Sequence, residues 1–165
     1  MDLVLEGWVG DRARDVDLNL FADADFAGDR PSFKSTSGMT LFVIGPYTSF
    51  PLAAKSTKQS CRSHSTPEAE IVAMNASLRT IGLPALDLWE ALLRRKLSLQ
   101  FQEDHETAIH VAMTGNNPTM RHISRTHGVQ IGWIFEVFEK GTAHMNYIPS
   151  NEQKADVFHK GFSGR

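Results

Sequence analysis

The sequence predicts an α/β domain on a five-stranded mixed sheet, a three-strand antiparallel meander plus two further strands, flanked by helices. Three observations predict it. Strand-like alternation and turn residues crowd the first third of the chain, helical spacing begins only after residue 65, and strand and helix patterns then alternate to the end.

Residues 17–25, Asp-Leu-Asn-Leu-Phe-Ala-Asp-Ala-Asp, alternate polar and apolar and read as the first strand. Asp-Arg-Pro-Ser at 29–32 is turn chemistry. Residues 38–44 are β-branched and apolar, a buried strand that ends at Gly45-Pro46. Residues 47–55 follow as a third strand, in which Pro51 requires an edge or a bulge. A long helix opens next. Ser65 as N-cap with Glu68 at N3 makes a capping box, and Thr66 capping with Pro67 at N1 is the alternative. Ile71, Met74, Leu78 and Ile81 form its core stripe, and Gly82-Leu83-Pro84 breaks or kinks it. Residues 86–93 continue as a second helix, with Arg94-Arg95-Lys96 where cations suit the dipole. Residues 97–102 alternate as a fourth strand ending at Glu103-Asp104, and 107–113 form a short helix stopped near Gly115. Residues 130–139 form a helix that packs Ile131, Ile134, Phe135 and Phe138, and 142–148 give the fifth strand. Ser150-Asn151-Glu152-Gln153 is a second capping box, predicting a last helix with Ala155, Phe158 and Phe162 inward. No linker or repeat interrupts residues 1–165, which read as a single domain with its core at about 16–162.

At 41% hydrophobic and 22% charged residues the chain can bury a core, which argues against disorder. No apolar run approaches the roughly 18 residues of a membrane span, and residues 1–14 lack the apolar core of a signal peptide. Cys61 stands alone and reads as an unreactive small residue that suits a reducing compartment. The net charge of −2 hides an uneven distribution. Residues 30–67 contain no acid but hold Arg30, Lys34, Lys55, Lys58 and Arg62; the acid-free stretch 116–134 holds Arg121, His122, Arg125 and His127. Taken alone, these are solvated faces or the grip on a polyanion in equal measure. His122 and His127 lie five apart, not at the spacing of a helical zinc pair, so surface or RNA-backbone contact is the expectation. His64, His110, His144 and His159 are expected to be structural or exposed, and Trp8, Trp89 and Trp133 to be packing residues.

Four acids lack an obvious structural task. Asp23 lies within a strand pattern, where Asp is depleted, and Glu70 sits beside the apolar stripe of its helix. Asp104 ends a strand, and Asp156 lies in a predicted helix interior at a propensity cost of about half a kcal/mol against Ala. In open α/β sheets, strand ends and helix starts converge at one crevice. Carboxylates gathered there repel one another unless cations are shared, and Mg²⁺ suits such an oxygen-rich site. Spacing alone leaves the alternative of four ordinary surface acids open.

Asp23-Ala24-Asp25-Phe26-Ala27-Gly28-Asp29, followed by Lys34-Ser35-Thr36-Ser37-Gly38, resembles the opening of ribonuclease H domains of copia-type (Pseudoviridae-like) retrotransposon polyproteins. Ser65-Thr66-Pro67-Glu68-Ala69-Glu70 is similar to that family's helix start. Glu103-Asp104 with Thr107-Ala108-Ile109, Arg121-His122-Ile123 with Arg125-Thr126-His127, and the segment Pro149 to Asp156 resemble its later motifs in the right order. The likeness spans roughly residues 16–162.

The resemblance implies a ribonuclease H-like fold and Mg²⁺-dependent hydrolysis of the RNA strand of RNA–DNA hybrids, leaving 5′-phosphate and 3′-hydroxyl ends. It places the catalytic, metal-holding acids on Asp23, Glu70, Asp104 and Asp156. By analogy Asp23 bridges two Mg²⁺ ions, replaceable by Mn²⁺; Glu70 and Asp104 hold the ion on the leaving-group side, and Asp156 the ion that activates water. Lys34, Ser35, Thr36, Ser37, Gly38, Lys55, Lys58, Arg62, Arg121 and Arg125 are the expected substrate contacts, although a turn role for residues 35–38 is an equal alternative. The expected partners are the hybrid and a reverse transcriptase domain of the same polyprotein, with no membrane. The isolated domain is expected to be monomeric and intracellular, in a virus-like particle or the nucleus. Two departures stand out. The loop 146–150 lacks the histidine that many ribonucleases H place there, and His105-Glu106 replaces the usual Asn-Gln; Glu106 reads as a solvated acid at a helix start. A decayed or repurposed domain that binds nucleic acid or a protein without cleaving is the alternative function, and another nuclease or an integrase-like member of the broad fold a third.

Overall fold

The computed structural model describes residues 10–158. Strands β1 (Asp17–Asp29), β2 (Lys34–Ile44) and β3 (Ser49–Lys58) form the antiparallel meander, with Thr40 opposite Phe21 in β1 and Ala54 in β3. Strands β4 (Leu99–Glu103) and β5 (Ala143–Tyr147) add in parallel, giving the five-stranded order β3-β2-β1-β4-β5. This is the mixed sheet that the pattern predicts. Pro51 satisfies both of its constraints at once, because β3 is an edge strand and its register slips beside Pro51. Residues 35–38 lie inside β2 and form no turn.

Helix α1 (Thr66–Ser77) is capped as the capping box predicts, with Ser65 Oγ accepting the Glu68 amide at 3.4 Å. The Glu68 carboxylate departs from the motif by accepting the amide of His64 at 3.1 Å. The expected kink is a π-helical turn, Leu78–Gly82, that leads into α2 (Leu83–Leu93). Gly82 suits the close packing there, since a Cβ would lie 2.7 Å from a Leu20 methyl and 2.9 Å from a Leu99 methyl and would oblige those side chains to shift. Helix α3 (Glu106–Thr114) ends on Gly115 at φ 72°, the left-handed C-cap that favours glycine. Then come the short α4 (Ile123–Thr126), which the pattern does not reveal, and α5 (Ile131–Glu139).

Period two divides β1 between two cores. Leu18, Leu20, Ala22 and Ala24 join Leu41, Val43, Leu99, Phe101 and the helices in the main one. Phe21 and Phe42 point to the other face, where Ala155, Ile44 and Ile148 cover them. The predicted last helix is absent from the described residues: two 3₁₀ turns, Ser150–Glu152 and Asp156–Phe158, replace it. Gln153 between them is extended at φ −68°, ψ 103°, and its side chain donates to Ala22 O at 3.0 Å and accepts Ala155 N at 3.2 Å. A strand carbonyl thus competes successfully for the residue that the capping box assigned to a helix. Trp89 and Trp133 pack against the main core as expected, and Arg79 stacks 4.2 Å over Trp133. Trp8, His159 and Phe162 lie outside the described residues. No helix among the described residues is long and apolar enough to cross a membrane.

Candidate active site

Register positions the first pair of acids. Strands β1 and β4 run parallel with Phe21 opposite Gln102, so Asp23, midway along β1, comes level with Asp104, the residue that follows β4. Asp23 is 8% exposed, and its Oδ1 accepts the Ala24 amide at 2.8 Å. Glu70, in the second turn of α1, is 3% exposed and faces Asp23, Asp104 and Glu103.

Burial, first, and the neighbouring charges of Glu103, Asp23 and Asp104 push the Glu70 carboxyl from its ordinary 4.5 up to about 11. A hydrogen bond with Asp23 acts in the same direction. The Glu103 carboxyl is also raised well above the ordinary range, chiefly by burial and in part by Asp104 and Asp23, against an opposing hydrogen bond from the His105 amide. Glu70 Oε2 and Glu103 Oε2 are buried with no hydrogen-bond partner. Buried carboxylate oxygens without donors are costly in a folded protein. An acid cluster of this kind is made stable by cations or by protons. The donors are hard oxygens, which fits Mg²⁺ or Mn²⁺, although among the described residues no three His, Cys, Asp or Glu side chains are already arranged as a metal cage.

Glu103 is the site residue that the sequence reading passed over as a mere strand end. Its signal was available: Leu99, Phe101 and Glu103 share one face by period two, so an acid was aimed at the core. Its neighbour His105 caps α3, with Nδ1 accepting the Ala108 amide at 3.4 Å. Glu106 is an exposed acid in the first turn of α3, as expected.

Asp156 is half-buried on the 3₁₀ turn Asp156–Phe158, which packs against β1, β2 and β3. Gln153 ties this segment to the carbonyl of Ala22, the residue before Asp23. Lys154 lies over the Phe42 ring at 4.2 Å and over Phe21 at 5.5 Å, and partial burial lowers its ammonium below the ordinary range. Asp156 therefore approaches β1 from the sheet face opposite α1.

The expected substrate contacts divide sharply. Ser35 and Ser37 are buried, with their hydroxyls accepting from the Ala27 amide at 3.2 Å and the Gln59 amide group at 3.0 Å. Gly38, opposite Asp23, is buried, and Thr36 is half-buried. These four residues hold the hairpin beside Asp23. Lys34 is engaged by the Ser60 carbonyl at 2.5 Å and Lys58 by Asp29 at 2.5 Å. Arg62 donates to the Ser32 carbonyl at 2.7 Å beside the exposed Phe33 ring. Lys55, Arg121 and Arg125 are exposed. His127 corrects the expectation of a surface histidine, for its side chain is fully buried 3.4 Å from Glu68. Cys61 Sγ sits 2.8 Å from the Thr126 carbonyl, joining the loop after β3 to α4.

No family model matches the chain. Among solved structures it is similar to LC11-RNase H1 in complex with an RNA/DNA hybrid, at 13% identity and a TM-score of 0.55 over 86% of this chain and 93% of that one. It is also similar to the N-terminal RNase H domain of a Mycobacterium tuberculosis protein, solved as a fusion with maltose-binding protein. That match has 13% identity and a TM-score of 0.52, covering 87% of this chain and 91% of the other. With the strand order and the helix positions, these matches define a ribonuclease H-like fold.

Proposed function

We propose that this domain is an endonuclease that hydrolyses the RNA strand of RNA–DNA hybrids, in the manner of the copia-type retrotransposon domains its motifs resemble. One observation carries the reading. Glu70 meets Asp23 of the central strand and Glu103 and Asp104 at the end of its neighbour, with oxygens of Glu70 and Glu103 left buried and unsatisfied. A structural role gives no reason to gather like charges there; a cation-dependent reaction does.

Asp23, Glu70, Asp104 and Asp156 would hold two Mg²⁺ ions, or Mn²⁺, which supply the charge that activates water and stabilises the leaving oxygen of a phosphodiester. The protein's own part is orientation. Strands β1 and β4 fix Asp23 and Asp104, α1 delivers Glu70 from one side, and Gln153 holds the segment bearing Asp156 on the other. Hybrid duplexes are recognised by groove shape, 2′-hydroxyls and phosphates, so Lys55, Arg121 and Arg125 would make sequence-tolerant contacts. A reverse transcriptase domain in the same polyprotein is the proposed partner, since hybrid arises where RNA is copied into DNA.

A second reading is a domain of the same fold that binds nucleic acid without cutting it. The His105-Glu106 pair that follows Asp104, in place of the usual Asn-Gln, favours it. The test separates the two. Labelled RNA–DNA hybrid, double-stranded RNA and DNA duplex are incubated with the protein in Mg²⁺, Mn²⁺ or chelator. Cleavage of the hybrid RNA strand alone, lost in chelator and in Asp104→Asn, supports the nuclease. Hybrid binding without cutting supports the second reading, and cutting that survives Asp104→Asn refutes the site.

A further inference from the structure

Outside the acid cluster, the described residues contain a second buried polar assembly. Glu68 is 1% exposed and sits two residues before Glu70 on α1. Its Oε2 lies 3.2 Å from His122 Nε2, and its Oε1 lies 3.4 Å from His127 Nε2. The His127 side chain is wholly buried, and His64 meets the His122 ring edge-on at 4.9 Å. His122 and His127 flank α4, the four-residue helix that carries the exposed Arg125, while Arg121 immediately precedes His122. Two imidazoles on one segment thus grip a single carboxylate on the catalytic helix.

Buried Met120, Ile123 and Val129 anchor the segment in the main core, and its other polar fastenings are few. Helix α4 is a single turn with no side-chain cap, Gly128 follows at φ 68°, and Cys61 adds one contact at Thr126. A helix so short does not persist by its own hydrogen bonds. Only the His122 contact is a hydrogen bond; Glu68 Oε1 and both ring nitrogens of His127 are buried without a hydrogen-bond partner. No three of these side chains converge as a metal cage, so the assembly is a buried polar clasp closed by packing around one hydrogen bond.

We infer that Glu68, His122 and His127 are positioning residues that lock α4 against α1, so that Arg121 and Arg125 grip the phosphates of the same duplex whose cleavage Glu70 serves. The inference rests on hybrid being the substrate. It assigns Glu68 a task distinct from that of Glu70, and it makes the two arginines dependent on a buried contact that neither of them touches.

The experiment compares wild type with Glu68→Gln, His122→Ala, Arg121→Ala/Arg125→Ala and their combinations. It measures hybrid affinity in Ca²⁺ at 50 and 200 mM salt, taken as roughly a fourfold span, together with amide hydrogen exchange of residues 119–129. Two phosphate contacts, each contributing about 0.9 to the salt slope, are worth about tenfold in affinity over that span. The clasp variants should therefore bind more weakly than wild type, by a factor about tenfold larger at the lower salt than at the higher. They should exchange faster at 119–129, and they should lose nothing further when the arginines are also removed. A merely structural role lowers the folded fraction at every salt concentration alike and leaves the slope unchanged. Because His122→Ala can disturb folding, Glu68→Gln, which keeps shape and one hydrogen bond, serves as the second variant. Unchanged exchange, an unchanged salt slope, or additive losses in the combined variants would each overturn the clasp while leaving the nuclease reading intact. Failure of wild type to bind hybrid would overturn both.

Discussion

At the scale of single residues the decisive chemistry is the state of Glu70. Burial and three neighbouring acids raise its carboxyl to about 11, so the cation-free fold prefers it protonated. The sign follows from linkage. The unfolded chain gives up this proton near pH 4.5 while the folded chain keeps it to about 11, so the contribution to stability is complete below 4.5 and is lost as pH rises between those values. In chelator, Glu70→Gln should therefore melt higher than wild type at pH 8 and close to it at pH 4, as read by thermal denaturation. Added Mg²⁺ should narrow that gap at pH 8 by stabilising wild type more than the variant. At a hundredfold excess over its dissociation constant it stabilises wild type by about 2.7 kcal/mol, or about 5–10 °C for a chain of this size. Position in the sequence singles out Asp23, Glu70 and Asp104 but does not join them, and only the family resemblance does; in the fold these three carboxyls meet. Glu103 is hidden in the sequence because an acid closing a short strand reads as a solvated terminus, although period two aims it inward with Leu99 and Phe101.

Among the elements, the strands and the first helix were readable because local and tertiary demands agree there. Ser65 caps α1, Pro51 falls at an edge and a bulge, and the break at 82–84 becomes a π-turn whose glycine packs closely against Leu20 and Leu99. Gly82→Ala should lower the melting temperature by a few degrees. Overpacking against Leu20 and Leu99 costs about 1–3 kcal/mol, against a gain of at most about 1 kcal/mol in helix propensity. The closing segment was misread for a physical reason. A capping box records only what a backbone can do locally, and Gln153 instead satisfies Ala22 O across the sheet. Gln153→Ala should leave that buried carbonyl unpaired at a cost of about 1–3 kcal/mol, visible as a lower denaturation midpoint. Because the same residue holds the turn bearing Asp156, kcat on hybrid should fall further than the folded fraction accounts for. Equal losses in the two would show that Asp156 needs no such support.

Over the whole molecule, one sheet serves two faces. The main core carries α1 and Glu70 on one side, the small cluster around Phe21 and Phe42 carries the closing segment on the other, and Asp23 stands between them on the central strand. The order β3-β2-β1-β4-β5 was open to the sequence only as a set of strands. The parallel placement of β4 beside β1, which brings Asp104 level with Asp23, depends on contacts far apart in the chain. Chain-wide charge misleads in the same way, since a net −2 conceals both the exposed cations Lys55, Arg121 and Arg125 and a separate cluster of buried acids. The most direct measurement is a calorimetric titration of the protein with Mg²⁺ and Mn²⁺ at pH 8 in buffers of different ionisation enthalpy, repeated with Asp23→Asn. Saturable binding that releases protons, and that is abolished by the substitution, is the predicted result. An absence of saturable binding in the folded wild-type protein, or binding indifferent to Asp23, would contradict it.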